Sequence, residues 1–253
     1  MKKMLTLGLV VITMGCLAGC QTKQTGHKNA DQKTSVTSKP AHEKIDYEDQ
    51  KKWDFVSGKM QSPIDIKTSQ VAAMTPDDGK LTLTYDQTIK KVENNGHSIQ
   101  VTDGGQSMIN GRHFKLTQFH FHAASEHTID GKHYPMEAHF VNTSQDGRLA
   151  VIAVFFVEGA ENNGFKEVLA DVASHQNQPI QDIDQMLPEN KGYYHYLGSL
   201  TTPPLTENVE WYVMKTPVEI SKSQLTSFKK LYDHNNREVQ PLNDRKIFAH
   251  DAS

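Results

Sequence analysis

Cysteine is almost missing from this 253-residue chain: only Cys16 and Cys20 occur, both near the N-terminus. A folded region further along therefore has no internal disulfide to rely on. Concentrated positive charge is missing as well. The formal net charge is −3, the lysines and arginines are scattered, and no basic helix or aromatic–basic interleaving occurs. That pattern excludes a nucleic-acid-binding surface. There is no internal repeat. The apolar share is only 36%, partly because of a polar stretch near the start. The early apolar run, Met4 to Ala18, is too short for a comfortable membrane span. What the chain does have is length, enough for a single large domain with a substantial core.

The N-terminus reads as targeting sequence. Lys2-Lys3 supply a positive start, and Leu17-Ala18-Gly19-Cys20 resembles the lipobox of bacterial lipoproteins. That resemblance implies a signal peptide over residues 1–19, cleavage before Cys20 and lipid on Cys20. Cys16 would leave with the signal. The expected location is outside the cytoplasm, anchored to a bacterial membrane. Residues 20–44 are rich in Lys, Gln, Thr, Ser, Asn and Asp. They offer too little apolar surface to offset their ordering entropy and read as a solvated tether.

The domain is expected over residues 45–253, with Tyr47, Trp53 and Phe55 available to anchor its N-terminus. Leu81 to Tyr85 alternates like a strand with one wet face. Asn94-Asn95-Gly96 is a turn signal, followed by a strand over His97 to Val101. Further strands are expected over His113–His122, Met136–Asn142 and Val209–Met214. Leu149 to Val157 is a near-continuous apolar run, as for a strand buried on both faces. Gly164 to Ala173 has helical periodicity. Ser221 and Gln224 can cap a second helix running to about Tyr232, with Leu225, Phe228 and Leu231 inward. Strands dominate, so a large, mostly antiparallel sheet is expected rather than a doubly wound one.

One stretch carries chemistry. If Gln118 to His122 is a strand, Gln118, His120 and His122 share one face and Phe119 and Phe121 the other. Glu137 and His139 lie two apart on a second strand. Between them, Ser125 to Pro135 has hairpin chemistry around Asp130-Gly131. Pairing the strands brings His139 to the first two histidines. Three imidazoles with no fourth protein ligand describe a catalytic zinc site with an open position. Glu137 and Gln118 can fix imidazole tautomers from behind. His113, His133 and His175 read as ordinary polar residues.

Six segments in order resemble the α-class carbonic anhydrases: Gln61-Ser62-Pro63-Ile64-Asp65-Ile66, Asn94-Asn95-Gly96-His97, Gln118 to His122, Ser125-Glu126-His127, Glu137-Ala138-His139 and Ser199-Leu200-Thr201-Thr202-Pro203-Pro204. The resemblance covers essentially the whole expected domain. It implies one zinc ion on His120, His122 and His139, with Gln118, Glu137 and the carbonyl of Asn235 supporting them in turn. Thr201 would orient the zinc-bound hydroxide and donate its own proton to Glu126, with Thr202 beside it. His97 would be the proton shuttle. Val141, Val151, Leu200, Val209 and Trp211 would form the apolar wall for carbon dioxide. The implied fold is a mainly β (α+β) single domain, a twisted sheet of about ten mostly antiparallel strands with short peripheral helices, and zinc at the base of a conical cleft. The implied reaction is reversible hydration of carbon dioxide to bicarbonate.

The chain departs from that pattern at Ile45-Asp46-Tyr47, where Trp-Gly-Tyr is usual. Leu205 stands where secreted relatives often have cysteine, and Asn236 where some have tryptophan. Alternatives of a different class are a non-catalytic surface binding module and a zinc-holding lipoprotein. Both are weighed against the presence of all three histidines together with Glu126 and Thr201.

Overall fold

The computed structural model describes residues 45–53, 58–75, 79–87 and 89–252. The signal peptide, the tether, Cys20 and Phe55 lie outside the described residues. The elements run β1 (Asp65–Ile66), β2 (Ala72–Ala73), β3 (Leu81–Tyr85), β4 (Lys91–Asn94), β5 (Ile99–Thr102) and β6 (Gly105–Ile109). Next come β7 (Arg112–His122), β8 (Thr128–Ile129), β9 (Lys132–His133), β10 (Met136–Ser144), β11 (Leu149–Glu158) and helix α1 (Asn163–Ser174). The chain continues with β12 (Tyr193–Ser199), β13 (Glu207–Met214), β14 (Val218–Ile220), α2 (Lys222–Lys229) and β15 (Phe248–His250).

Twelve of the strands form one sheet, whose main path is β2-β15-β12-β13-β11-β10-β7-β5-β4. Most neighbours are antiparallel, but β11 pairs in parallel with β13 and β14, and β15 with β2. The sheet is mostly antiparallel, as expected, and its twelve strands among the described residues slightly exceed the expected ten or so. A separate small sheet joins β1, β8 and β9.

Alternation along the central strands sorts side chains into two cores. Met136, Ala138 and Phe140 of β10 and Ile152, Val154 and Phe156 of β11 enter one cluster, which also receives Phe165 and Val168 of α1 and Phe228 of α2. Val141, Val151, Phe155, Val209, Trp211 and Val213 point to the other face and form the second cluster. Each fully buried Phe or Val contributes roughly 1.5–3 kcal/mol. Leu149–Val157 is therefore a strand buried on both faces, as its continuous apolar run predicts.

The helices start where their caps specify. The Asn162 side chain accepts from Phe165 N, and Ser221 and Gln224 form a reciprocal capping box. α2 ends at Lys229 rather than near Tyr232, and Leu231 is 45% exposed instead of inward. The inward stripe closes with Phe228, whose carbonyl already receives Leu231 N and Tyr232 N in a terminal turn.

Candidate active site

The register of β7 against β10 builds the site. His139 lies opposite His120 and Glu137 opposite His122. The loop between these strands folds back as a hairpin of its own, β8–β9, with Asp130 and Gly131 at positive φ (48° and 77°). Positive φ at both central turn residues is what Asp-Gly is suited to supply.

β7 does not keep one alternation throughout. Phe114, Leu116, Phe119 and Phe121 all enter the helix-side core, although the first pair and the second differ in parity. The register shifts between Val141 and Asn142, which face Gln118 and Leu116, so Thr117 is the extra residue. This bulge turns the strand over. Without it, the face that carries Phe114 and Leu116 into the core would carry His120 and His122 there too.

Each histidine has one nitrogen held from behind. His120 Nδ1 lies 2.8 Å from Gln118 Oε1, His122 Nδ1 lies 2.6 Å from the Asn235 carbonyl, and His139 Nε2 lies 2.9 Å from Glu137 Oε1. All three partners are acceptors, so these nitrogens carry the protons. His120 Nε2, His122 Nε2 and His139 Nδ1 are left with their lone pairs. The three histidines offer ligand atoms within 4.8 Å of one another. His122 Nε2 is buried with no hydrogen-bond partner, an expensive state unless a ligand takes the lone pair. Burial, then the neighbouring His122 and His139, hold His120 well below the usual imidazole range, which favours the neutral, ligating form. The donor set fits a divalent cation with one position left open.

Glu126 is fully buried. Its Oε1 accepts from Arg237 N at 2.7 Å, and its Oε2 has no hydrogen-bond partner among the described residues, with His139 Nδ1 3.9 Å away. Thr201 is buried as well, 4% exposed, and Thr202 beside it is half-buried. Val141, Val151, Val209 and Trp211 belong to one buried cluster, with Leu200 packed against it. His97 is half-buried in the turn before β5, and Asn235 Nδ2 donates to its carbonyl at 3.0 Å. The turn delays the strand, which begins at Ile99 rather than at His97.

Of the histidines read as ordinary, His113 is exposed on β7 and His175 ends α1 at φ 55°. His133 Nδ1 lies 2.7 Å from the Ser125 carbonyl. Sequence reasoning left three polar participants without a role: His127, Tyr196 and Arg237. His127 was visible only as part of the Ser125-Glu126-His127 segment. Tyr196 arrives from β12 and Arg237 from the loop after α2, and neither carries a local signal.

Comparison with known proteins gives this geometry a family. The family model for eukaryotic-type carbonic anhydrases matches residues 48–251. The chain belongs to the α-class carbonic anhydrase family. It is 40% identical over 200 residues to the carbonic anhydrase of Pectobacterium atrosepticum, covering 76% of this chain and 80% of that protein. Against the carbonic anhydrase of Nostoc it is 42% identical over 201 residues, covering 75% of each. The α-carbonic anhydrase of Thermovibrio ammonificans, solved with sulfanilamide, superposes with a TM-score of 0.69 at 46% identity, covering 76% of this chain and 87% of that one. Family membership makes the chain a zinc-dependent lyase type and accounts for the mixed, mostly β architecture.

Proposed function

We propose that this carbonic anhydrase hydrates carbon dioxide reversibly at a single zinc ion held by His120 Nε2, His122 Nε2 and His139 Nδ1. The observation that carries the assignment is the orphaned His122 Nε2, buried beside two other imidazoles whose remaining nitrogens are already committed as donors. Zinc bound there supplies a nucleophile at neutral pH by lowering the pKa of a coordinated water to roughly 7.

The chain's own residues do the rest. Neutral imidazoles leave the cation's charge uncompensated, which is what acidifies the water. The Thr201 hydroxyl can accept one hydrogen bond and donate another. Its donation suits Glu126 Oε2, the one oxygen of that carboxylate without a hydrogen bond among the described residues. With its donor direction set, Thr201 orients the attacking oxygen. Val141, Val151, Val209, Trp211 and Leu200 offer carbon dioxide an apolar wall, with Thr202 at its side. His97, near neutral in its unperturbed pKa, takes the released proton outward. Lipid on Cys20 would anchor the domain to a bacterial membrane, outside the cytoplasm.

The test is His139→Ala. Metal analysis should find most of the zinc gone, and stopped-flow hydration nearly all of the rate. A variant that bound zinc normally and kept its rate would overturn the ligand assignment.

A further inference from the structure

Arg112, Arg148, Arg245 and Lys246 are far apart in the sequence, and the fold brings them to one place. They line a hollow of about 490 Å³ in which Glu210 is the one carboxylate among the described residues. Arg112 and Arg148 also border a neighbouring hollow, with His113 and Asp146. A chain of net charge −3 thus carries a local excess of positive charge.

Glu210 prearranges two of these cations. It is 4% exposed. Its Oε1 accepts from Arg112 Nη1 at 2.8 Å and from Arg148 Nη1 at 3.2 Å. Its Oε2 accepts from Arg112 Nη2 and, at 2.9 Å, from Tyr212 OH. Burial alone would raise this carboxyl, but hydrogen bonds from Arg112 and Tyr212 hold it below the ordinary range. An ionised, buried carboxylate therefore fixes two guanidiniums whose side chains are 41% and 52% exposed. Each guanidinium has five N–H donors, so both keep donors for a second acceptor.

The other two cations are not cancelled. The three nitrogens of Arg245 donate to the carbonyls of Leu242, Leu197 and Pro241. Glu207 offsets part of that charge, while its Oε1 is held by Met60 N and Gln61 Nε2. Lys246 is exposed and has no ion pair among the described residues.

Leu197 stands among these cations and is 45% exposed. It pairs with Glu210 across β12 and β13. Tyr196 and Trp211, next along those strands, face the other way, and Trp211 packs on His139. Leu197 and Glu210 therefore lie on the reverse of the sheet from the metal ligands. β15 pairs with β12 only as far as His195, and beyond it Arg245 takes the Leu197 carbonyl. An exposed leucine among prearranged cations is complementary to a layer of phosphates over hydrocarbon. A free phosphate would leave the leucine without a role.

We propose that this hollow is a docking surface for an anionic phospholipid bilayer: Arg112, Arg148, Arg245 and Lys246 meet lipid phosphates, Leu197 enters the acyl boundary, and the histidine face of the sheet stays uncovered. The proposal rests on the reading that places the domain at a bacterial membrane, outside the cytoplasm. It does not need the lipid on Cys20.

Vesicle sedimentation tests it, using the zinc-loaded mature chain from residue 20 with Cys20→Ser, so that no lipid is attached. The chain should bind vesicles of phosphatidylglycerol and phosphatidylcholine in equal parts, not phosphatidylcholine alone, and high salt should release it. Each cation brought to an anionic surface changes partition by about five-fold, so Arg148→Gln with Lys246→Gln should lose about 25-fold. Lys222→Gln with Lys229→Gln, the same change of charge on α2, should lose far less. Leu197→Gln should weaken binding without altering its salt dependence. Thermal melts and the hydration rate, expected to be unchanged in every variant, establish folding.

Failure of the wild type to bind the mixed vesicles, or equal losses in the two double variants, would overturn the proposal. Wild-type binding by Leu197→Gln would overturn it too, in favour of a soluble polyanion. Metabolic lipid labelling, compared between wild type and Cys20→Ala, tests the anchor separately. Labelling without vesicle binding leaves the anchor and removes the docking surface, and vesicle binding without labelling does the reverse.

Discussion

Asn235 serves His122 and His97 at once. Its carbonyl accepts from His122 Nδ1 at 2.6 Å, while its side-chain Nδ2 donates to the His97 carbonyl at 3.0 Å and to the Phe121 carbonyl at 2.9 Å. Its Oδ1 accepts from Ala123 N at 2.9 Å. The main chain of one residue thus sets a ligand tautomer, and its side chain clamps the backbone on either side.

Asn235→Ala separates these roles. The carbonyl stays, so zinc binding should survive. The clamped backbone groups lose their partners in a buried place, and the expected cost is about 2–4 kcal/mol. Urea unfolding of the zinc-loaded protein measures it. An unchanged midpoint would mean that the side chain is not the clamp.

Thr201→Ala should keep zinc and lose roughly 10²-fold or more in kcat/KM, the scale of losing one oriented donor or acceptor at a reacting centre. Thr201→Ser, which restores the hydroxyl, should recover most of the rate. Stopped-flow hydration with metal analysis on the same samples decides it. A full rate with zinc bound in Thr201→Ala would remove the Thr201–Glu126 pair from the mechanism.

His97→Ala should lower kcat and leave kcat/KM nearly intact, because proton release follows the interconversion of carbon dioxide and bicarbonate. General acid–base groups contribute about 10²–10⁴-fold, and buffer brings the effect to the low end. A small imidazole-type buffer should restore much of the loss. Parallel falls in kcat and kcat/KM, or no rescue across a buffer series, would exclude the shuttle role.

Asp103 gives a pH dependence unrelated to the metal. It is 1% exposed. Burial pushes its carboxyl up to about 7; the Gly104 N–H and Lys90 pull down, and Asp86 beside it pushes further up. Between the ordinary carboxylate range and about 7 the folded state holds a proton that the unfolded chain has released. Stability therefore falls as pH rises through that window and levels off above it. Asp103→Asn should remove this slope and raise the urea midpoint at pH 8 relative to wild type. The difference between the two proteins, followed from pH 4 to 8, isolates the effect. A constant difference would refute it.

The parts legible in the sequence were those written locally. Period-two spacing aligned His120 with His122, Asp130-Gly131 marked a turn, and Ser221 with Gln224 wrote a capping box. The rest depends on partners far away in the chain. The bulge at Thr117 has no glycine or proline to announce it, and it exists because β10 pairs out of step there. The parallel pairing of β11 with β13 is decided by which apolar strands bury each other. Leu231 fits a helical stripe but lies past the point where the core has closed over Phe228. Tyr196 and Arg237 are unremarkable letters until strand pairing and loop placement bring them to the site.

The His122–Asn235 hydrogen bond spans 113 residues, and Arg237–Glu126 spans 111. The ligand hairpin is short-range by comparison. A chain that emerges N-terminus first therefore completes its metal-binding triad long before the segment that fixes His122 and Glu126. Closing so long a loop costs entropy that grows with the logarithm of its length, and contacts of this range slow folding. Zinc captured early meets an imidazole still free to swap tautomers, whereas zinc arriving late meets a finished socket. If the triad holds zinc as proposed, one of its three imidazoles gains its support only when residues 235–237 arrive, and the order of metal uptake and chain closure would bear on how the site matures.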